Sequence, residues 1–248
     1  MNLLGVHVTA FDLPTAATEM ARAVDERRRV YASTCPVYTL MQGNERPEVR
    51  AALNGAAWVT PDGTPVVWAL RALGARRVGR VYGPDLMLAL TEISIQKGYK
   101  QYYLGGKPGT AEELAAQMRQ RFPGLLVAGF ECPPFRELSA DEEEEMVQRI
   151  NGSGADIVWV GLGSPKQDLW MARYRPRLTA PLLVGVGAAF DFFTGRLAQA
   201  PRWMQRSGLE WLFRLVSEPS RLWKRYLINN PKFVFYIALQ LAGLRRYD

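Results

Sequence analysis

The sequence contains few of the residues from which metal centres and hydrolase triads are built. Among 248 residues there are one histidine, His7, and two cysteines, Cys35 and Cys132. A structural zinc site needs several such ligands, a disulfide framework needs more cysteines, and a Ser-His-Asp triad needs a histidine in the active site. His7 falls in a strand-like stretch near the N-terminus, so we interpret it as structural. These classes are therefore disfavoured.

Long apolar stretches and targeting signals are lacking as well. The best apolar run, Phe233 to Leu244, spans about a dozen residues, whereas a membrane-spanning helix needs about 20. Residues 1–5 have neither the charged segment nor the apolar core of a secretory signal. We expect no spanning helix, although such a chain can still lie on a membrane surface.

The common nucleotide-binding motifs are also missing. No Walker-type Gly-Lys-Ser/Thr triplet occurs, and Gly185-Val186-Gly187 is followed by Phe190 where the dinucleotide fingerprint requires a third glycine. The chain has no Asp-x-Asp triplet, through which many nucleotide-sugar enzymes hold a metal. We therefore disfavour an NAD enzyme and a P-loop NTPase, and we expect neither a metal nor another cofactor.

Positive charge is present and is concentrated at one end. The formal net charge of +7 falls entirely within residues 196–248, because residues 1–195 hold equal numbers of basic and acidic side chains. Aromatic residues such as Trp203, Trp211 and Trp223 are interleaved with these charges. We divide the chain into a neutral body, residues 1–195, and a basic appendage, residues 196–248. Such an appendage indicates an anionic partner: a membrane surface, a phosphorylated ligand or a nucleic acid.

Strand-like and helix-like patterns alternate through the body. The patterns predict strands at 3–9, 30–33, 58–60, 102–104, 125–130, 156–161 and 181–186, and helices at 14–28, 47–54, 64–73 and 110–121. Thr110 followed by Glu113 predicts a capping box on the last helix, and Ser139 predicts a cap for an acid-rich helix after it. The alternation predicts an α/β fold with a mostly parallel sheet and helices on both faces.

Three glycine-rich junctions follow predicted strands. In a parallel sheet, ligands bind beyond the carboxyl ends of the strands, where glycines permit close backbone approach to phosphate. One such junction is weak evidence, but three in one chain favour a phosphate or nucleotide-sugar site. The candidate binding residues are Gly105, Gly106 and Lys107 in the first junction, Gly161, Gly163, Pro165 and Lys166 in the second, and Gly187 and Asp191 in the third.

A carboxylate and a hydroxyl stand at two further strand ends. Asp62 follows the strand at 58–60, and Thr34 follows the strand at 30–33. Together they could flank an acceptor hydroxyl. The alternative is that Asp62 only caps the helix beginning near Thr64.

The order of these motifs resembles one known family. The matching stretches are Thr34-Cys35-Pro36, Thr60-Pro61-Asp62-Gly63, Tyr82-Gly83-Pro84-Asp85-Leu86, Leu104-Gly105-Gly106-Lys107, Gly161 through Gln167, and Gly185 through Tyr226. The most diagnostic block lies between Gly187 and Leu215 and includes Ala200-Pro201-Arg202-Trp203-Met204. Over nearly the whole chain this pattern resembles the TagA/WecG/CpsF family of glycosyltransferases.

The resemblance implies a Rossmann-like α/β core and a helical C-terminal appendage that closes over the site. It implies an inverting enzyme that transfers a sugar from a UDP-sugar to a polyprenyl-diphosphate-linked sugar at the cytoplasmic face of the cell membrane, as in teichoic acid or exopolysaccharide synthesis. Asp62 matches the family's proposed general base, and Thr34 and Gln167 match its polar pocket residues. Gly83 and Asp85 are further binding candidates. A homo-oligomer stays open as a further partner.

One position departs from the family pattern. The family commonly has Asn where this chain has Pro36, which removes a hydrogen-bonding side chain from the site. The donor can therefore be N-acetylmannosamine or a hexose such as glucose.

The basic appendage offers charge for a departing diphosphate. In one continuous helix of about 100° per residue, Arg221 and Arg225 would lie within about 20° of Arg214. Guanidinium groups bind phosphate oxygens through paired donors. This spacing predicts a diphosphate-binding face with one lysine beside it: Arg214, Arg221, Arg225 and Lys224. The alternative is that the arginines merely pair with Glu210 and Glu218.

The apolar residues of the appendage predict two segments. We expect five of them to pack the appendage on the body: Trp211, Leu212, Leu215, Leu222 and Trp223. Four nearer the terminus are predicted to contact the membrane: Phe233, Phe235, Tyr236 and Leu239. Two other classes stay open, a nucleic-acid-binding protein and a non-catalytic membrane-recruited protein, although neither requires the glycine junctions and Asp62.

Overall fold

The protein is built on one parallel sheet, as seen in a computed structural model that describes residues 1–247. Residue 248, the last of the appendage, lies outside the described residues. Six strands form the sheet in the order β4-β3-β8-β7-β5-β6, and every neighbouring pair is parallel. They are β3 (Val30–Cys35), β4 (Trp58–Pro61), β5 (Lys100–Gly105), β6 (Leu126–Glu131), β7 (Ile157–Gly161) and β8 (Leu182–Gly185).

Helices connect the strands and cover the sheet. Within the body they are α1 (Leu13–Asp25), α2 (Val37–Glu45), α3 (Pro47–Asn54), α4 (Thr64–Ala72), α5 (Gly83–Lys97), α6 (Thr110–Arg121), α7 (Ala140–Gly152), α8 (Lys166–Tyr174) and α9 (Ala189–Phe193). The predicted α/β class is confirmed. The sequence patterns missed α2, α5, α8 and α9.

The predicted strand at 3–9 is wrong. Two short antiparallel strands, β1 (Asn2–Leu3) and β2 (Val6–His7), form a hairpin outside the main sheet. Leu4 and Gly5 turn the chain with φ values of 56° and 89°, and an extended strand cannot contain such residues. His7 lies on the hairpin.

The two predicted capping motifs have different outcomes. On α7, the Ser139 side chain accepts from the Glu142 N–H at 3.2 Å and the Glu142 carboxylate accepts from the Ser139 N–H at 2.8 Å, which is a complete capping box. The box predicted for α6 is wrong. The cap is Gly109 at φ 82°, because a left-handed turn precedes this helix, and Thr110 is already its first residue.

The core lies on both faces of the sheet. Tyr103, Trp159 and Phe190 belong to the apolar cluster under α1, α5 and α6, while Val158 and Met171 belong to the cluster under α7 and α8. Burial on both faces explains the continuous apolar sequences of β7 and β8. A third cluster joins the hairpin to α2, α3 and α4.

The appendage consists of α10 (Arg202–Arg206), α11 (Glu210–Ser217) and α12 (Pro219–Leu241). The continuous helix predicted through Arg214 and Arg225 is wrong, because the chain breaks at Glu218, where φ is −139° and ψ is 59°. Glu218 precedes Pro219, and a residue before proline is disfavoured in the helical region.

The packing of the appendage differs from the sequence-based division into a segment that packs on the body and a segment that contacts the membrane. Phe233 and Ile237 are buried in the third apolar cluster, so the membrane contact predicted for Phe233 is wrong, whereas Phe235 is 58% exposed. Leu222 is buried as expected, but Leu212 and Trp223 are exposed. The cause is geometric: α12 packs on α2 with one face, which the sequence alone does not specify. Within the described residues, no helix combines the length and hydropathy that a membrane crossing requires.

Candidate active site

The carboxyl ends of β3, β4, β5, β7 and β8 open into one cavity of about 570 Å³, and α10 to α12 form its other wall. Most of the predicted site residues line this cavity: Thr34, Asp62, Gly106, Lys107, Gly161, Gly163, Pro165, Lys166, Gly187, Asp191, Arg214, Arg221 and Arg225. The sheet thus brings together residues from all three glycine junctions, and the appendage adds the arginines.

Asp62 lies at the end of β4, with its side chain 16% exposed. Burial raises the pKa of Asp62 to about 6, although the nearby Arg80 guanidinium opposes the rise. The carboxylate is not a helix cap: Gly63 occupies the N-cap position of α4, and no side chain caps that end. The capping alternative is therefore wrong, and the carboxylate is free for another role.

Arg80 is a site residue that the sequence reasoning missed. Its Nη2 atom lies 3.6 Å from Oδ1 of Asp62 and 2.5 Å from Oε2 of Glu210. Its guanidinium stacks on the Tyr82 ring at 4.0 Å from the centroid. The only signal in the sequence was its position two residues before the Tyr82 motif, in a segment without regular structure.

The three predicted arginines reach the cavity from two helices. Arg214 on α11 lies over the Phe192 ring, and Arg225 on α12 lies over the Tyr38 ring with its Nε buried and unpartnered. Arg221 on α12 is paired with Glu218 at 2.6 Å. Arg214 also lies 4.0 Å from a carboxylate oxygen of Glu218. The pairing alternative is thus realised with Glu218, closely for Arg221 and at longer distance for Arg214.

The charges of these arginines are crowded. Burial and the neighbouring Arg214 and Arg221 together lower the pKa of Arg225 from its ordinary value. A guanidinium with an unpartnered nitrogen and two cationic neighbours is stabilised by an anion. The cavity wall formed by the appendage is therefore suited to a diphosphate.

Two glycines of the predicted set act in packing rather than as cavity lining. A Cβ on Gly83 would lie 2.8 Å from the Val186 carbonyl oxygen, and one on Gly105 would lie 2.5 Å from the Gly161 carbonyl carbon. Both positions therefore exclude side chains. Gly106, at φ 78°, is the first lining residue of its junction.

Gln167 lies behind the cavity wall and is fully buried. Its Oε1 accepts from the Gly187 N–H at 2.9 Å, and its Nε2 donates to the Ser164 hydroxyl at 3.3 Å. Thr34 lines the cavity, and its hydroxyl donates to the Gly185 carbonyl at 2.8 Å. Gln167 therefore holds two junctions together rather than contacting a ligand.

Two charged candidates lie outside the cavity. Asp85 forms an ion pair with Arg202 at 3.3 Å. Lys224 lines a neighbouring groove of about 420 Å³ between α2 and α12, which shares Arg221 and Arg225 with the cavity. In the part of the chain that the structure describes, no three His, Cys, Asp or Glu side chains are grouped as metal ligands.

A buried carboxyl supports the site from below. Asp168, at the start of α8, is fully buried and accepts from the Ser33 hydroxyl at 2.5 Å. Burial raises the pKa of Asp168 to about 6. Since Ser33 directly precedes Thr34, this hydrogen bond helps to hold the end of β3.

Comparison with known proteins assigns this chain to a family. The sequence profile described as "Glycosyl transferase WecG/TagA/CpsF family" matches residues 1–247. The chain belongs to this family. The resemblance inferred from the motifs is thereby confirmed, as is the expectation that the protein is a glycosyltransferase.

One relative of this chain is a Bacillus spizizenii enzyme, the N-acetylglucosaminyldiphosphoundecaprenol N-acetyl-beta-D-mannosaminyltransferase. It is 28% identical over 211 residues, which cover 85% of this chain and 79% of the relative. In our chain, Pro36 lines the cavity and contributes an apolar surface there.

Proposed function

We propose that this glycosyltransferase moves a hexose or N-acetylhexosamine from a UDP-sugar to a polyprenyl-diphosphate-linked sugar in the synthesis of a bacterial cell-surface polysaccharide. The observation that carries the proposal is the position of Asp62, a buried carboxylate with a raised pKa that shares its cavity with three arginines of the appendage. The name of the Bacillus spizizenii relative, which specifies a diphosphoundecaprenol acceptor, supports the class of acceptor.

In the proposed reaction, Asp62 accepts the proton of the acceptor hydroxyl while the oxygen of that hydroxyl attacks the anomeric carbon of the donor sugar. The bond from that carbon to the UDP oxygen breaks, and UDP leaves with the electron pair. Attack from the face opposite the leaving group inverts the anomeric configuration. A carboxylate with a pKa near 6 is ionised at neutral pH and is more basic than an ordinary aspartate.

The departing diphosphate needs positive charge in the transition state. In our proposal Arg214, Arg221 and Arg225 supply it from the appendage, and Lys107 and Lys166 contribute from the junctions. Because side chains provide this charge, we propose that turnover requires no divalent metal. Close backbone approach at Gly106 and Gly187 would hold the donor.

We further propose that the protein acts peripherally at the cytoplasmic face of the cell membrane, where its lipid-linked acceptor would lie. Exposed apolar side chains of the appendage support this proposal. Trp203 is 63% exposed, Val216 is 75% exposed and Phe235 is 58% exposed. The net positive charge of the appendage would favour anionic lipids.

The test is transfer from a panel of UDP-sugars to a polyprenyl-diphosphate-linked N-acetylglucosamine, measured with product anomer analysis by NMR. We expect turnover with one donor class and inversion, and a loss of about 10²- to 10⁴-fold in the variant Asp62→Asn. Asp141→Asn, on the exposed start of α7, is the matched control. Unchanged turnover in Asp62→Asn would show that Asp62 is not the base.

Absence of turnover with every donor, together with salt-dependent RNA or DNA binding, would instead favour a nucleic-acid-binding protein. Vesicle binding without turnover would favour a non-catalytic membrane protein.

A further inference from the structure

One ion-pair cluster ties the appendage to the carboxylate of the proposed general base. Nη2 of Arg80 lies 2.5 Å from Oε2 of Glu210 on α11, but 3.6 Å from Oδ1 of Asp62. The three side chains are only 16–19% exposed, so solvent screens their interactions weakly. One guanidinium nitrogen therefore faces two carboxylates, and only the carboxylate of the appendage holds it at hydrogen-bond distance.

The guanidinium of Arg80 is confined from other sides. It stacks on the Tyr82 ring, and its Nε is buried without a hydrogen-bond partner. It therefore has little freedom to turn toward solvent. Without Glu210, the carboxylate left for it to bind is Asp62.

A full pairing of Arg80 with Asp62 would oppose base catalysis. A bidentate guanidinium pair would occupy the oxygen lone pairs that must accept the proton, and it would stabilise the ionised carboxylate and so make it a weaker base. Glu210 prevents this pairing by taking the nearest Arg80 nitrogen.

We propose that Glu210 is a positioning residue that keeps Arg80 from pairing fully with Asp62, so that the docked appendage leaves this carboxylate able to accept a proton. The inference rests on the proposed function only in assigning the proton transfer to Asp62. Arg80 and Glu210 are separated by 130 positions in the chain, so their contact exists only when α11 lies against the body.

The electrostatic effects of the neighbouring charges on the pKa of Asp62 agree in direction with the role proposed for Glu210. The charged groups that act on Asp62 are Arg80 from the segment before α5, and Glu210 and Arg214 from α11. Burial is the main cause of the raised pKa of Asp62, Arg80 and Arg214 oppose it, and Glu210 adds to it. Removing the charge of Glu210 therefore lowers this pKa directly and also releases Arg80 toward Asp62. The neighbouring ionisable groups Tyr82 and Cys35 have raised pKa values and stay neutral.

The decisive measurement is the carboxyl ¹³C titration of Asp62 by NMR in the full-length protein, which requires no donor or acceptor. In Glu210→Gln we expect the midpoint to fall from its wild-type value of about 6, with a roughly tenfold or larger increase in the proton dissociation constant. Glu210→Asp keeps the negative charge, so its Asp62 midpoint should lie between those of the wild type and Glu210→Gln. The matched control is Glu45→Gln, which removes a different ion pair between body and appendage, Lys232 to Glu45 at 3.0 Å, and should leave the midpoint unchanged.

A double-mutant cycle tests whether Glu210 acts through Arg80. In an Arg80→Gln background, the shift caused by Glu210→Gln should be at most half of that in the wild type. An unchanged Asp62 midpoint in Glu210→Gln, or an equal shift in both backgrounds, would overturn the proposal. If the titration behaves as expected but no UDP-sugar is turned over, the cluster is as described and the proposed function is what fails. Loss of turnover in Glu210→Gln with an unshifted midpoint would assign Glu210 a purely structural role.

Discussion

The pKa of Asp62 predicts the pH dependence of sugar transfer. The perturbation is a decrease of pH from 8 to 5 at saturating acceptor and limiting donor. Burial raises the pKa of Asp62 to about 6, so the ionised form, which is the active one in the proposed mechanism, prevails above that pH and is lost below it. At pH 5 about one molecule in eleven keeps the carboxylate ionised, and kcat/KM should be about tenfold below its plateau. With an unshifted pKa of 3.8, the loss at pH 5 would be under about 10%.

The assay is the initial rate of transfer over the pH range, with thermal unfolding measured at each pH to ensure that the protein stays folded. A second buried carboxyl, Asp168, also titrates near 6 and must be separated from Asp62. We expect the fall in transfer rate at low pH, the acid limb of the pH profile, to persist in Asp168→Asn. It should be absent from the residual activity of Asp62→Asn. A rate that stays flat down to pH 5 in the wild type would refute the reasoning, as would a limb that follows Asp168.

Three further predictions concern stability and the metal requirement. The pKa of Asp168 is raised by burial from 3.8 to about 6, so its ionisation costs stability as pH rises through 6. Asp168→Asn should therefore gain up to about 3 kcal/mol at pH 8 and almost nothing at pH 4 by urea denaturation; equal gains at both pH values would contradict this. Phe233→Ala should lose about 3–5 kcal/mol, whereas the exposed neighbour Phe235→Ala should lose under about 1 kcal/mol. Sugar transfer should continue in excess EDTA. Loss of transfer in EDTA that is reversed by added Mg²⁺ or Mn²⁺ would show that the enzyme requires a metal.

The packing of Phe233 also changes the expected effect of truncation. Because the sequence predicts that the segment from Asn229 onward contacts the membrane, removal of the chain after Leu227 is expected from the sequence mainly to weaken membrane association. In the structure this removal exposes the third apolar cluster, because Phe233 and Ile237 pack there. Such a truncation should lower the thermal stability of the whole protein as well as its vesicle binding. One face of the terminal half of α12, which carries Phe233 and Ile237, is thus part of the core.

Local signals account for much of the fold. Apolar strand patterns located the central strands β7 and β8, and the cap predicted at Ser139 marked the start of α7, because these features depend on neighbours in sequence. Among the four helices of the body that were missed are α2 and α5. The first begins directly after Pro36, and the second has apolar residues around most of its surface, which weakens the helical periodicity.

The sequence by itself determined which residues stand at the carboxyl ends of the strands, since strand ends and glycine turns are encoded locally. Asp62 and the three glycine junctions could therefore be chosen as candidates without coordinates. Only the tertiary structure decided their surroundings. Glu210 binds the nearest nitrogen of Arg80, and Gln167 lies behind the cavity wall. A break at Glu218 places the arginines that reach the cavity on two helices, α11 and α12. Burial, pKa and ion pairing depend on residues far apart in the chain, and these become neighbours only when the appendage packs on the sheet.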